Sequence, residues 1–206
     1  MHTITSLRQI SQERYEILFD DGGKCLTSFT VVADYGLYTG RELTEEEVAA
    51  VLSASSLARC KERAMRLIGL RPLSEREIYD KLVEKGESES NAAASVAWLL
   101  DLHLLNDADY AAMLVRHYAA KGYGSRRVRD ELYRHKVPKK LWDDAMAEMP
   151  EADEKIDRLL RARLKSETPD RAELKKATDA LLRRGYGWDE IRSAVARYQS
   201  EIEDYD

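Results

Sequence analysis

The sequence predicts a mainly α-helical fold: three tandem three-helix repeats forming an elongated curved body, preceded by a small N-terminal β-hairpin or sheet extension and a helix. Three observations lead there. From residue 44 onward the 206-residue chain is dominated by the helix formers Ala, Leu, Arg, Glu and Lys. The apolar pairs Ile78/Leu82, Val128/Leu132 and Ala177/Leu181 recur at spacings of 50 and then 49 residues, a period typical of repeat architectures. The first ~35 residues differ, with aromatic and β-branched side chains broken by Asp and Gly.

The elements follow in order. "RYEILF" (Arg14 to Phe19), "DDGG" (Asp20 to Gly23) and "KCLTSFTVV" (Lys24 to Val32) read as strand, turn and strand. Asp-Gly and Gly-Gly steps supply the positive φ of a tight turn. "ITSLRQI" offers a third strand, which a lone hairpin needs for stability. At "LTEEEVAAVLSAS" Thr44 is the expected N-cap of a helix, with Glu47 as its capping-box partner. "SSLARCKERAMRLIGL" then starts the first repeat, with Leu57, Cys60, Ala64, Leu67 and Ile68 on one face.

The middle helices of the three repeats begin at Ser74, Ser125 and near Asp170. Each is preceded by one helix ("CKERAMRLIGL", "DADYAAMLVRHYAA", "DEKIDRLLRARLKS") and followed by another ("SNAAASVAWLLDLHLL", "PKKLWDDAMAEM", "GWDEIRSAVARYQSE"). The expected organisation is a β-rich extension over 1–43, a helix plus the first repeat over 44–105, the second repeat over 106–150, and the third with an acidic tail over 151–206. Trp98, Trp142 and Trp188 sit in or at the start of the last helix of each repeat and read as packing anchors. Two Gly-Tyr-Gly triplets, at 122–124 and 185–187, lie 63 residues apart. That is not the repeat period, so they read as independent turns. Gly122 is expected to end one helix, and Ser125 to cap the next.

Composition excludes several classes. Cys25 and Cys60 are the only cysteines and form no CxxC pair, which suits a reducing compartment. The N-terminus lacks a basic region followed by an apolar run, so no signal peptide is expected. No apolar stretch approaches the ~18 residues of a membrane span. The expected location is cytoplasmic. His103, His117 and His135 form no i,i+4 pair, and GxSxG, GxxxxGK[ST] and GxGxxG are all missing. No catalytic, cofactor-binding or metal-ligating residues are expected. Asp107, after Asn106, reads as part of a helix N-terminus rather than as a catalytic acid.

Charge locates the candidate surface. The net charge of −5 disfavours global attraction to nucleic acid, so any such binding needs a local patch. Between Arg116 and Lys140 nine basic side chains (Arg116, Lys121, Arg126, Arg127, Arg129, Arg134, Lys136, Lys139, Lys140) face only Asp130 and Glu131. Arg126, Arg129 and Lys136 are expected to share one side of a helix, away from Val128 and Leu132. The segment reads either as a solvated face or as a surface for phosphates or an acidic partner. Arg183 and Arg184, before Gly185, are a second candidate, though cations also belong at a helix C-terminus. Tyr110, Tyr118, Tyr123, Tyr133 and Tyr186 accompany the cations. At helical spacing such rings pack into cores; beside cations they also offer faces for unpaired bases.

These residues resemble the RecX family, regulators of the RecA recombinase. "LNDADYAAMLVRHY" (Leu105 to Tyr118), "GSRRVRDELYRHKV" and "LLRRGYGWDEIRSAV" (Leu181 to Val195) resemble signatures of the second and third repeats. The N-terminal hairpin and "GLYTGRELTEEE" resemble an extension found in some members. The chain departs from the pattern at "RHKVP", where the family usually has a glycine after the basic residue. Lys136 would then take the left-handed conformation there, at a cost of about 1 kcal/mol. The resemblance implies a non-enzymatic protein that binds the RecA–single-stranded DNA filament and lowers its ATPase and strand-exchange activities in repair, recombination and the SOS response. No heptad seam suggests an obligate dimer, so a monomer is expected. A stand-alone helix-turn-helix-like DNA-binding protein is the alternative, since three-helix units resemble such modules. A helical-repeat scaffold for protein partners is a further one.

Overall fold

The computed structural model describes residues 1–151, 153–164 and 169–203. The chain divides into two compact units, Met1–Leu105 and Asn106–Asp206.

In the N-terminal unit β1 (His2–Ser11), β2 (Arg14–Phe19), β3 (Lys24–Ser28) and β4 (Glu42–Leu43) form an antiparallel sheet in the order β3-β2-β1-β4. The expected third strand is therefore β1. Leu7 lies opposite Ile17, and Ile17 opposite Cys25. Alternation sends Ile4, Ile17, Phe19 and Cys25 into a core with Val31, Leu37, Leu43 and Val51.

Two expectations for this unit are corrected. β3 ends at Ser28 instead of running to Val32. The Ser28 hydroxyl accepts a hydrogen bond from the Val31 backbone N–H at 3.3 Å and caps α1 (Phe29–Asp34), which brings Val31 into the core. The separate helix at Thr44 and the first helix of repeat one are a single 26-residue helix, α2 (Glu45–Leu70). Its start is the expected capping box: Thr44 Oγ1 accepts from Glu47 N at 3.1 Å, and Glu47 Oε2 accepts from Thr44 N at 2.8 Å. The N-terminal half of α2 packs on the sheet core through Val48, Val51, Ala54 and Ala58. Its C-terminal half packs through Cys60, Ala64, Leu67 and Ile68 against α3 (Glu75–Glu84) and α4 (Glu89–Asp101). Burial pushes the Cys60 thiol above its ordinary pKa, so it stays protonated and inert.

The C-terminal unit holds two three-helix repeats. Repeat two is α5 (Asp107–Ala120), α6 (Ser125–Arg134) and α7 (Trp142–Ala147), the last entered through a 3-10 turn at Lys139–Leu141. Repeat three is α8 (Asp153–Arg161), α9 (Arg171–Arg183) and α10 (Trp188–Glu203). α8 stops earlier than expected, at Arg161, and the predicted continuation at 165–166 lies outside the described residues. So do residues 204–206 of the acidic tail. Each repeat has its own core. In repeat three Arg197 clamps α10 to α8 with bonds of 2.9 and 2.7 Å to Asp157 and a pair at 3.3 Å to Asp153.

The repeat register is fully expressed. Ile78, Leu82, Val128 and Leu132 are 0% exposed, and Ala177 and Leu181 1%. They occupy equivalent turns of the middle helices α3, α6 and α9. Lys136 takes the left-handed conformation, with φ 54°, just past α6.

Candidate functional site

The cationic segment is built around α6. Its apolar residues Val128 and Leu132 turn into the repeat-two core. At about 100° per residue, Arg126, Arg129 and Tyr133 fall within about 60° of one another, on a side turned about 110° from that of Val128 and Leu132. All three are exposed, and neither Arg126 nor Arg129 has an acidic partner among the described residues. Asp130, also exposed, borders the same side.

Other candidate cations are held by the protein itself. Glu131, 5% exposed, pairs with Arg127 at 2.8 Å and with Arg134 at 3.2 Å. The Arg127 guanidinium also lies 5.8 Å from the Tyr123 ring. Arg116 is paired with Glu148. The Lys121 ammonium sits 5.4 Å from the Tyr118 ring. Arg126, Arg127 and Arg129 are thus not one cluster. The i,i+4 spacing of Arg127 and Glu131 and the i,i+3 spacing of Glu131 and Arg134 carry a readable signal for that pairing. Lys136 does not share the α6 face, because the helix ends at Arg134. Lys139 and Lys140 are exposed in the 3-10 turn, and Arg183 is exposed at the end of α9.

The two Gly-Tyr-Gly triplets meet. Gly124 N donates to Arg184 O at 2.9 Å, and Arg126 N donates to Gly185 O at 3.1 Å. Gly124, not Ser125, is the N-cap of α6, and it has no side chain to offer. The Gly185 carbonyl from repeat three does that work instead. Gly185 has φ +87°, and a Cβ there would lie 2.5 Å from Arg127 Cβ; a Cβ on Gly124 would lie 2.5 Å from the Gly185 carbonyl carbon. Only glycine permits this backbone approach.

The same junction caps the C-terminus of α5. Lys155 Nζ donates to Ala119 O at 2.9 Å, Arg184 Nη1 to Lys121 O and Gly122 O at 3.3 Å each, and the buried Tyr186 hydroxyl to Gly122 O at 3.2 Å. Two cations thus complement the negative end of the α5 dipole. Arg184 therefore serves the junction between repeats two and three. Burial raises the Tyr186 phenol above its ordinary pKa; burial first, and then Glu131, raises that of Tyr118.

The aromatic side chains separate clearly. Tyr110 and Tyr186 are buried, Tyr118 and Tyr123 are half-buried in the repeat-two core, and Tyr133 is 69% exposed. Trp98 packs against the repeat-one core, and Trp142 Nε1 donates to Val137 O at 3.0 Å. Trp188, expected as a third anchor, is 55% exposed, because Tyr186 fills the repeat-three core in its place. Asp107 is the first residue of α5, behind the N-cap Asn106. Among the described residues one set of metal-type donors converges, His2, Asp20 and Asp21, in the N-terminal unit with both carboxylates exposed. No helix among the described residues is long and apolar enough to cross a membrane.

This architecture defines a class: a tandem three-helix repeat protein with an N-terminal antiparallel sheet and its densest positive charge in the second repeat. Family models place it further. Residues 60–99 match the RecX first three-helix domain, 106–146 the second and 151–195 the third. The chain belongs to the RecX family of regulatory proteins. It is 35% identical over 143 residues to regulatory protein RecX of Vibrio campbellii, an alignment covering 66% of this chain and 89% of that protein. With the Clostridium botulinum protein of the same name it shares 25% identity over 95% of each. Two crystal structures share the fold. One, of regulatory protein RecX, gives a TM-score of 0.76 at 22% identity over 95% of this chain and 100% of that one. RecX from Lactobacillus salivarius gives 0.66 at 21% identity, over 71% and 98%.

Proposed function

We propose that this protein is a non-enzymatic regulator that binds the RecA–single-stranded DNA filament and lowers its ATPase and strand-exchange activities, acting in the cytoplasm in repair, recombination and the SOS response. It works as a monomer, without a cofactor. The observation that carries the reading is the membership of all three repeats in a family of regulatory proteins. The physical support is the exposed side of α6, where Arg126 and Arg129 have no acidic partner among the described residues and are available to phosphates.

Within this reading the eleven candidate cations divide by what already holds them. Arg126 and Arg129 make the primary contacts, with Lys139, Lys140 and Arg183 as further exposed charges and Lys121 and Lys136 beside them. Arg116, Arg127 and Arg134 are held by ion pairs inside repeat two and Arg184 by the junction between repeats two and three, and they set the local field. Each phosphate neutralised adds about 0.7 to the log–log salt slope on a single strand and about 0.9 on duplex. The test is RecA's single-strand-dependent ATPase under rising concentrations of this protein. A progressive fall supports the reading. An unchanged rate at several-fold excess over RecA sinks it.

A further inference from the structure

Of the large apolar side chains exposed in the described residues after 105, there are two, Tyr133 and Trp188. Tyr133 is the one on the cationic helix. It shares their side of α6, lying between Arg126 and Arg129 in angle and about 6 and 10 Å beyond Arg129 and Arg126 along the helix axis. Its hydroxyl and ring make no hydrogen bond or ring contact among the described residues. The other four tyrosines near the cations are wholly or half buried. Among these tyrosines burial thus leaves one ring facing solvent, in line with two arginines of α6 that have no acidic partner among the described residues.

We propose that Tyr133 is a stacking platform for an unpaired base, with Arg129 and Arg126 holding successive phosphates on one side of it, toward the start of α6. The inference rests on the nucleic-acid contact proposed above and gives it a chemical class: single-stranded nucleic acid, engaged through a base face as well as its charge. An aromatic ring in line with cations suits an unpaired strand, which offers base faces as well as phosphates. A purely phosphate-binding face has no use for the ring, and a duplex keeps its base faces stacked away from it. The platform is also preorganised. The first turn of α6 is fixed by the Gly185 carbonyl, and its core side by Val128 and Leu132, so little ordering is left for the bound state.

The test compares a fluorescently labelled oligothymidylate with an abasic oligomer of equal length, which keeps the phosphates but has no bases. Binding is read by anisotropy for the unaltered protein, Tyr133→Ala, Tyr133→Phe and the double variant Arg126→Glu/Arg129→Glu. The side chain is exposed, so circular dichroism of Tyr133→Ala should match that of the unaltered protein. The expected result is an affinity loss of about tenfold for Tyr133→Ala on oligothymidylate, near-retention for Tyr133→Phe, and no difference on the abasic strand. Equal binding of oligothymidylate by Tyr133→Ala and the unaltered protein would overturn the proposal. If the double variant still loses affinity in that case, the cationic reading stands and only the stacking role falls. If Tyr133→Ala spares both oligomers but weakens capture by DNA-free RecA, the ring is a protein-contact anchor, which also overturns it. Failure of the unaltered protein to bind either strand would remove both readings.

Discussion

Gly124→Ala isolates the junction between repeats two and three. Gly124 has an ordinary φ of −80°, so alanine meets no backbone penalty there. Its Cβ would instead sit 2.5 Å from the Gly185 carbonyl carbon. The obstacle is backbone, with no rotamer to give way, so the two repeats must part. That breaks the bonds from Gly124 N to Arg184 O at 2.9 Å and from Arg126 N to Gly185 O at 3.1 Å, about 1 kcal/mol each. It also strains the buried bond from the Tyr186 hydroxyl to Gly122 O at 3.2 Å, about 1–3 kcal/mol if left unmade. The expected loss is about 3–5 kcal/mol. Gly86→Ala is the control: φ is +84° and nothing lies within 4 Å of its Cβ, so it costs only about 1 kcal/mol of backbone strain. Gly185→Ala combines both penalties and should be worst. Urea unfolding followed by far-ultraviolet circular dichroism and tryptophan fluorescence reads all three. A Gly124→Ala protein within about 0.5 kcal/mol of the unaltered chain would mean that the Gly185 backbone does not bar a Cβ at this position.

Further expectations follow from the same contacts. Glu131→Gln removes the charge shared by Arg127 and Arg134 and should cost about 1–2 kcal/mol in urea unfolding, the arginines being partly solvated. The freed charges should also steepen the salt dependence of DNA binding. Lys136→Gly should stabilise by up to about 1 kcal/mol, measured the same way, because it relieves a left-handed residue at φ 54°. Tyr118 and Tyr186 have raised phenol pKa values in the folded state. Above about pH 10 the unfolded chain therefore releases protons that the folded chain keeps, and stability falls as pH rises through that range. Tyr186→Phe should lose about 1 kcal/mol at neutral pH with its hydrogen bond. It should also show a shallower alkaline decline in melting temperature.

What was legible was local. The pairs Ile78/Leu82, Val128/Leu132 and Ala177/Leu181 revealed the repeats because helical burial is periodic in sequence. The capping box at Thr44 was readable because its two partners, Thr44 and Glu47, are three residues apart in sequence. The misses came where distant parts of the chain intervene. "FTVV" has the composition of a strand, yet α1 forms because Ser28 caps it and the core takes Val31. The two helical segments expected from Thr44 and from Ser55 are one helix, and Ser55 lies within it. The Ser55 hydroxyl donates to Val51 O at 2.7 Å and bonds Thr27 Oγ1 at 2.8 Å, so α2 runs through. Ser125 lost the cap of α6 to a carbonyl 60 residues away at Gly185, and no local pattern announces that. Of the candidate site, the charge density was plain in the sequence. Which arginines remain unpartnered depended on Glu131 being buried beneath two of them.

In the proposed function, Arg126 and Arg129, without an acidic partner among the described residues, deliver this protein to the RecA filament. The most direct test titrates the unaltered protein and Arg126→Glu/Arg129→Glu into RecA's single-strand-dependent ATPase at one salt concentration. The unaltered protein should lower the rate progressively, and the double variant should need at least about tenfold more protein for the same effect, the removal of two phosphate contacts. Equal potency of the two proteins, or no effect of either, would contradict the account.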